Sequence, residues 1–562
     1  MTSITDFFPH ESYYPYQKEV LEIIEQNYDA SKHFLLEIPP GVGKTAIADA
    51  ISEFSMESDV LTNQIRLQEQ YYPYGFKTVR GRGNFNCLNS SSRCNAAPCV
   101  IEDEYHCQYK PTPLGNYDDE RYSAGVSNTR GEIFWKTESP HCEYWQQKMD
   151  ALNSVKRIHN YMYYIYETNY AGDFGSPKTL ICDECHEIEG LLMDFVKVEI
   201  TRSHLEKVGV LLQNFTNAED WMTWLNALQK NYIPRRLSEI EIELTEQFKN
   251  YKLVTEKKNL DSLLNKIKFF LIHYEKNPGG WMILPHIYHG KIEKVEFKPL
   301  FVHEFAAPLL FKNSEKVILM SGTILDFNVY ARSIGLDINK CVTVRVPSPF
   351  PVENRLIYKA NIGFLDSKGT NPRNDENLLD NIIHAIDTTL SSDQFTDVKG
   401  IIHTTTYQLA RYITEHSAHA PRMLTHTDSF GATQALKKHA DTPEPTVLVS
   451  PSMYQGVDLK DNLSRIQICI KVPYPNTMDP VINARRNIDP LWYYCKAGIQ
   501  LFQSMARSTR SPTDYSTTIM FDSRFSYFVN KQINNQAPSW IEDATRSQKD
   551  LENDLGLYLK LD

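Results

Sequence analysis

The chain has 562 residues, more than one hydrophobic core supports, so roughly three to four domains are expected and a lone binding module is excluded. Hydrophobic residues make up 41% and charged residues 23%, which is globular usage rather than that of a disordered chain. With 59 basic against 70 acidic side chains the net charge is −11, which excludes a basic coat but not a local basic groove for nucleic acid.

The opening MTSITDFFPH lacks the charged and apolar regions of a secretory signal, and no apolar run reaches the length of a membrane span. A soluble cytoplasmic or nucleoid protein without membrane partners is expected. HFLLEIP (33–39), TLICDE (179–184) and KVILMSG (316–322) are continuous apolar runs that predict strands buried on both faces and flanked by helices. KGIIHTT (399–405), PTVLVSP (445–451) and RIQICIKVP (465–473) form a second such set, so two α/β units are predicted. Between the two sets, residues 81–150 are rich in Cys, Tyr, Asn and Gly with little periodicity. Residues 201–285 carry apolar positions three and four apart, an amphipathic helical pattern.

Chemistry concentrates at four places. EIPPGVGKT (37–45) follows a strand and opens a helix, the arrangement in which Gly41, Gly43 and a helix N-terminus cradle phosphates, Lys44 reaches the terminal phosphates and Thr45 binds Mg²⁺. Ile38 stands where the strict pattern has its first glycine. Asp183 and Glu184 end a strand, one carboxylate for Mg²⁺ and one to orient or deprotonate a water. Their neighbours Cys182 and Cys185 are read as buried packing positions. Gln503, Arg507 and Arg510 in QSMARSTR lie at helical spacing, and guanidinium groups stabilise charge on a transferring phosphoryl. Five of the ten cysteines, Cys87, Cys94, Cys99, Cys107 and Cys142, crowd one segment, which in a reducing compartment argues for metal over disulfides. Zinc and an iron–sulfur cluster are both open on these residues alone.

Taken together, the motifs resemble those of the superfamily 2 iron–sulfur DNA helicases of the XPD/DinG family, in a DinG-like phage or bacterial form. EIPPGVGKT resembles motif I, VLTNQIRLQEQ (60–70) motif Ia, DECH (183–186) the DEAH box, MSGTIL (320–325) motif III, SPSMYQGVDL (450–459) motif V and QSMARSTR motif VI. YYPYQKEV (13–20) is similar to the adenine-side segment, with Gln17 as its glutamine; VRGRGNFNC (79–87) and HCEYW (141–145) are similar to the flanks of the cluster ligands. Cys185, Gln455 and Ala506 depart from the family's usual alanine, glutamate and glycine.

The resemblance implies two RecA-like parallel-sheet domains with an iron–sulfur and a helical arch insertion in the first. Domain 1 would comprise 1–77, 151–200 and 286–335, the cluster domain 78–150, the arch 201–285 and domain 2 336–562. It implies an ATP- and Mg²⁺-dependent helicase moving 5′ to 3′ on single-stranded DNA and opening forked duplex or DNA–RNA hybrid, as a monomer, in repair or replication. A translocase without strand separation and a nucleotide-gated scaffold are the alternatives. Nucleotide would be held by Gln17, Gly41, Gly43, Lys44, Thr45, Asp183, Gly456 and Asp458, with Lys44, Glu184, Gln503, Arg507 and Arg510 acting in hydrolysis. A 4Fe-4S cluster would be held by Cys87, Cys107, Cys142 and either Cys94 or Cys99, with Cys99 favoured and Cys94 then spare.

Overall fold

A computed structural model describes residues 2–101, 107–113, 125–135, 140–246, 250–365, 377–453 and 457–559. Two sets of seven strands organise it. The first set is β1 (His33–Glu37), β2 (Ser58–Thr62), β3 (Lys77–Val79), β4 (Lys156–Asn160), β5 (Thr179–Asp183), β6 (Lys316–Ser321) and β7 (Cys341–Arg345). The second is β8 (Ile357–Gly363), β9 (Gly400–His403), β10 (Met423–Thr425), β11 (Val447–Ser450), β12 (Ile466–Cys469), β13 (Thr517–Asp522) and β14 (Thr545–Arg546). All six apolar runs singled out in the sequence are strands. The others are shorter or mixed with polar residues, so their runs do not stand out.

The chain divides into two compact units, one of Met1–Ile51, Leu319–Ala331 and Ile338–Asp562, the other of Ser52–Ile318 and Arg332–Asp337. In the first unit β1 pairs in parallel with β7, His33 opposite Cys341. The whole second sheet lies in this unit, in the order β10-β11-β9-β12-β13-β8-β14, and its pairs are parallel. Phe34, Leu35 and Leu36 of β1 and all of β9 and β11 are buried, as parallel strands covered on both faces require.

In the second unit β5, β2, β4 and β3 lie side by side in parallel. The amphipathic region folds as expected into helices Ala218–Ala227, Ile233–Glu246 and Tyr251–Lys276. Arg236 staples two of them, reaching Glu243 at 2.7 Å and Glu256 at 2.8 Å. An antiparallel sheet of Val198–Thr201, Trp281–Tyr288 and Lys291–Pro299 completes this part and runs across residue 285. Trp221, Phe270, Trp281 and Phe297 interlock there at ring separations of 4.9–5.8 Å. Residues 81–150 do have a core of their own: Cys94, Val126, Ile133, Trp135, Cys142, Tyr144, Trp145 and Met149 cluster together. Aromatic and cysteine side chains supply it, which is why no aliphatic period marks it. Among the described residues no helix is long and apolar enough to cross a membrane.

Candidate active site and cysteine centre

The phosphate-loop sequence adopts the backbone its glycines permit. Gly41 and Gly43 have φ of +91° and +85°, a left-handed conformation that side chains disfavour. Helix α2 (Lys44–Ser55) starts immediately after them, its Ala46 and Ile47 N–H groups donating to the Gly43 carbonyl at 3.1 and 3.3 Å, so the loop lies at a helix N-terminus. A β-carbon would also meet the ring of Phe350 at Gly41 and Nε2 of Gln17 at Gly43. Gln17 opens helix α1 (Gln17–Asn27), is 1% exposed and accepts the Tyr14 N–H at 2.7 Å. Lys44 and Thr45 remain half-buried at the mouth of the loop.

Glu37, which the sequence reading passed over as the last residue of a strand, anchors this loop from below. Its Oε2 accepts the Ile324 and Leu325 N–H groups at 2.6 Å, and Arg345 Nε lies 2.8 Å from Oε1. Burial pushes its carboxyl up, against the pull of Arg345 and the two N–H donors. The SGTIL turn is thereby fixed to the strand that leads into the phosphate loop, with Leu325 itself at φ +69°.

In the other unit, β5 delivers Asp183 5% exposed. Tyr71 Oη donates to its Oδ2 at 3.0 Å, the Glu184 N–H to its Oδ1 at 2.9 Å, and Tyr161 Oη to its carbonyl at 2.9 Å. Glu184 follows at φ +52°, and His186 Nδ1 is 3.4 Å from its Oε2. Cys182 and Cys185 are fully buried, the packing role read for them.

On the second sheet, helix α4 (Pro490–Met505) carries Gln503, 6% exposed, but ends before the arginines. Arg507 and Arg510 therefore do not share a helical face with Gln503; they lie on the turn beyond it. Gln467 Nε2 donates to the Met505 carbonyl at 2.9 Å, and buried Ser508 donates to Ser464 at 2.7 Å, drawing the chain off the helix axis. Arg507 Nη1 reaches the Val457 carbonyl at 3.5 Å. Arg510 pairs with Asp458 at 3.1 Å, while its N–H donates to Asp514 at 3.0 Å. Buried Asp514 also takes Arg465 at 2.7 Å and so organises this turn, a role its sequence position did not announce. Gly456 lies outside the described residues.

Among the five clustered cysteines the close pair is Cys94 and Cys142, Sγ to Sγ 3.9 Å. Cys94 is the thiol the sequence reading set aside as spare. Cys142 stands at the N-terminus of helix α3 (Glu143–Leu152), and the hydrogen bond with Cys94, with the Trp145 and Tyr144 N–H groups, holds its thiol below the usual range despite burial. Cys99 is held up by burial and by the neighbouring Cys107. Cys87 is half-buried near the tip of the 85–94 hairpin, its Sγ accepting the Asn89 N–H at 3.3 Å. Among the described residues no three His, Cys, Asp or Glu side chains are gathered as a metal site. The donor chemistry suits a thiolate-bound centre, and Cys99 lies within electrostatic reach of Cys94, Cys107 and Cys142.

Residues 396–544 match the helicase C-terminal domain family. A stretch of 121 residues is 26% identical to the ATP-dependent DNA helicase CHL1 of Meyerozyma guilliermondii, covering 18% of this chain and only 14% of that relative. Among solved structures, one titled XPD helicase is similar over 96% of this chain and 100% of its own, with TM-score 0.60 and 12% identity. Xpd4 of S. tokodaii is similar over 95% and 99%, with TM-score 0.52 and 14% identity. At these identities the likeness is one of fold alone: two parallel-sheet domains of RecA-like architecture.

Proposed function

We propose that this protein is an ATP-driven helicase that moves 5′ to 3′ along single-stranded DNA and separates forked duplex or DNA–RNA hybrid, acting as a monomer. The observation that carries the reading is the loop at Gly41–Thr45, whose left-handed glycines, helix N-terminus and lysine make a polyphosphate cradle on a helicase-like fold. The match of residues 396–544 to a helicase domain family supports it independently.

In this reading Gln17, Gly41, Gly43, Lys44, Thr45 and Asp458, with Gly456, bind nucleotide. Thr45 and Asp183 would hold Mg²⁺, which when bound neutralises charge on the phosphates. Tyr71 and the Glu184 N–H fix the Asp183 carboxylate, while Glu184, with His186 Nδ1 3.4 Å from its Oε2, would orient the attacking water. Gln503, Arg507 and Arg510 supply the donors for developing charge. The cysteines of 87–142 would hold a 4Fe-4S cluster as a rigid core for their segment. Cys99, Cys107 and Cys142 are retained from the motif reading, and the close pair adds Cys94 as a rival to Cys87.

ATP turnover with and without single-stranded DNA, alongside separation of a labelled fork, tests this. DNA-stimulated turnover with strand separation is expected. Stimulated turnover without separation would leave a translocase, and turnover indifferent to DNA would overturn the reading.

A further inference from the structure

The segment joining β7 to β8, residues 346–356, touches both parts of the proposed nucleotide machinery that lie in the first unit. At one end Phe350 fills the space over Gly41, so the phosphate loop rests against a ring belonging to the linker. At the other end Asn354 holds the turn that carries the arginines. Its carbonyl accepts the Thr509 hydroxyl at 3.3 Å and the Ser516 N–H at 2.9 Å, and its Nδ2 donates to the Pro512 carbonyl at 2.8 Å. Just after Asn354, Arg355 braces the linker, its Nε donating back to the Phe350 carbonyl at 3.2 Å and Nη1 to the Trp540 carbonyl.

A small cavity of about 30 Å³ lies against Pro39 and Pro40 of the phosphate loop, Phe350 of the linker, and Met505 and Thr509 of the arginine turn. A ring pressed on a glycine with a small space beside it can shift when phosphates enter the loop, and four residues further on that shift reaches Asn354. The preceding residue, Arg345, is tied to Glu37, so the linker starts from the base of the same loop.

We infer that residues 346–356 are a coupling strap in which Phe350 senses the phosphate loop at Gly41 and Asn354 positions the turn bearing Arg507 and Arg510. Both are positioning residues; neither touches the reacting atoms. The inference rests on the proposed nucleotide site and adds the route by which its two halves are kept in step.

The test is to lengthen the strap without removing either contact, by inserting two glycines between Pro351 and Val352, and to compare this variant with Phe350→Ala and Phe350→Leu. Hydrogen exchange is followed with and without a non-hydrolysable ATP analogue. In the wild type the analogue should protect residues 38–46 together with 346–356 and 507–516. In the insertion variant protection should stop at 38–46, and turnover should fall on the order of 10²-fold while analogue affinity stays within about threefold. Phe350→Ala should behave likewise, and Phe350→Leu should restore most of the coupling. Thermal melting establishes that each variant is folded, and should the insertion prevent folding, the comparison of Ala with Leu at 350 carries the test. Wild-type turnover and intact long-range protection in the lengthened or Ala variant would overturn the strap alone. No protection anywhere in the wild type would overturn the nucleotide site and the strap with it.

Discussion

Arg510 and Asp458 form an ion pair, Nε to Oδ1 3.1 Å, on the turn that follows α4, and both side chains are partly exposed. An exposed pair of this kind contributes little to stability, on the order of 0–1 kcal/mol. Its value is geometric: it aims the guanidinium. Arg510→Ala should therefore lose ATP turnover on the order of 10³-fold with an unchanged melting temperature. Lys at 510 should not restore it, because an ammonium lacks the planar fork. Turnover near wild type in the Ala variant would make Arg510 an ordinary surface charge.

Lys44→Ala and Glu184→Gln should both abolish turnover, by different routes. Loss of the lysine removes a phosphate contact, so nucleotide affinity falls. The glutamine at 184 leaves the loop intact and removes only the group that orients water, so nucleotide is retained without being cleaved. Equilibrium binding of a fluorescent ATP analogue to the two variants separates the roles, and equal losses of affinity would refute the assignment.

Two buried histidines predict a pH dependence of stability. His403 and His439 are both brought down from 6.5 to about 4, chiefly by burial. The unfolded chain therefore takes up protons first as pH falls. Stability is full above about 6.5 and declines toward 4, by roughly 1 kcal/mol per histidine at about pH 5.5. His439 Nε2 meets the Leu463 carbonyl and Nδ1 the Thr446 hydroxyl, both at 2.8 Å; the carbonyl contact favours the charged ring, and burial outweighs it. Urea unfolding at about pH 7.5 and 5.5 should show the loss, and His439→Gln should shrink the difference between the two.

Serine at Cys94 and serine at Cys142 should each strip iron from anaerobically prepared protein, whereas serine at Cys87 should leave most of it. This reverses the order that the motif flanks alone suggest, because the buried pair, not the hairpin tip, sits in the small core of residues 81–150. Sulfur-to-iron charge-transfer absorbance and iron content decide it. Zinc in place of iron in the wild type would overturn the cluster itself.

The strands that hold the site were legible in the sequence because parallel strands buried on both faces leave continuous aliphatic runs. So was the phosphate loop, whose left-handed positions call for glycine. The end of α4 was not, because Met505, Ala506 and Arg507 contain no helix breaker; the chain turns there because Gln467 and Ser464, both remote in sequence, claim the Met505 carbonyl and the Ser508 hydroxyl. Glu37 and Phe350 escaped for the same reason. Their importance lies in what they touch, the SGTIL turn and Gly41, and no local pattern encodes a contact made across hundreds of residues.

The two margins of the second sheet are β10, with three residues, and β14, with two. Unpaired strand margins invite another chain to add itself, and the hazard grows with the length of backbone on offer. Here the outermost ribbons present almost none. The second sheet, with inner strands as apolar as VLVS and IQIC, thus offers little backbone for another chain to pair with edge to edge.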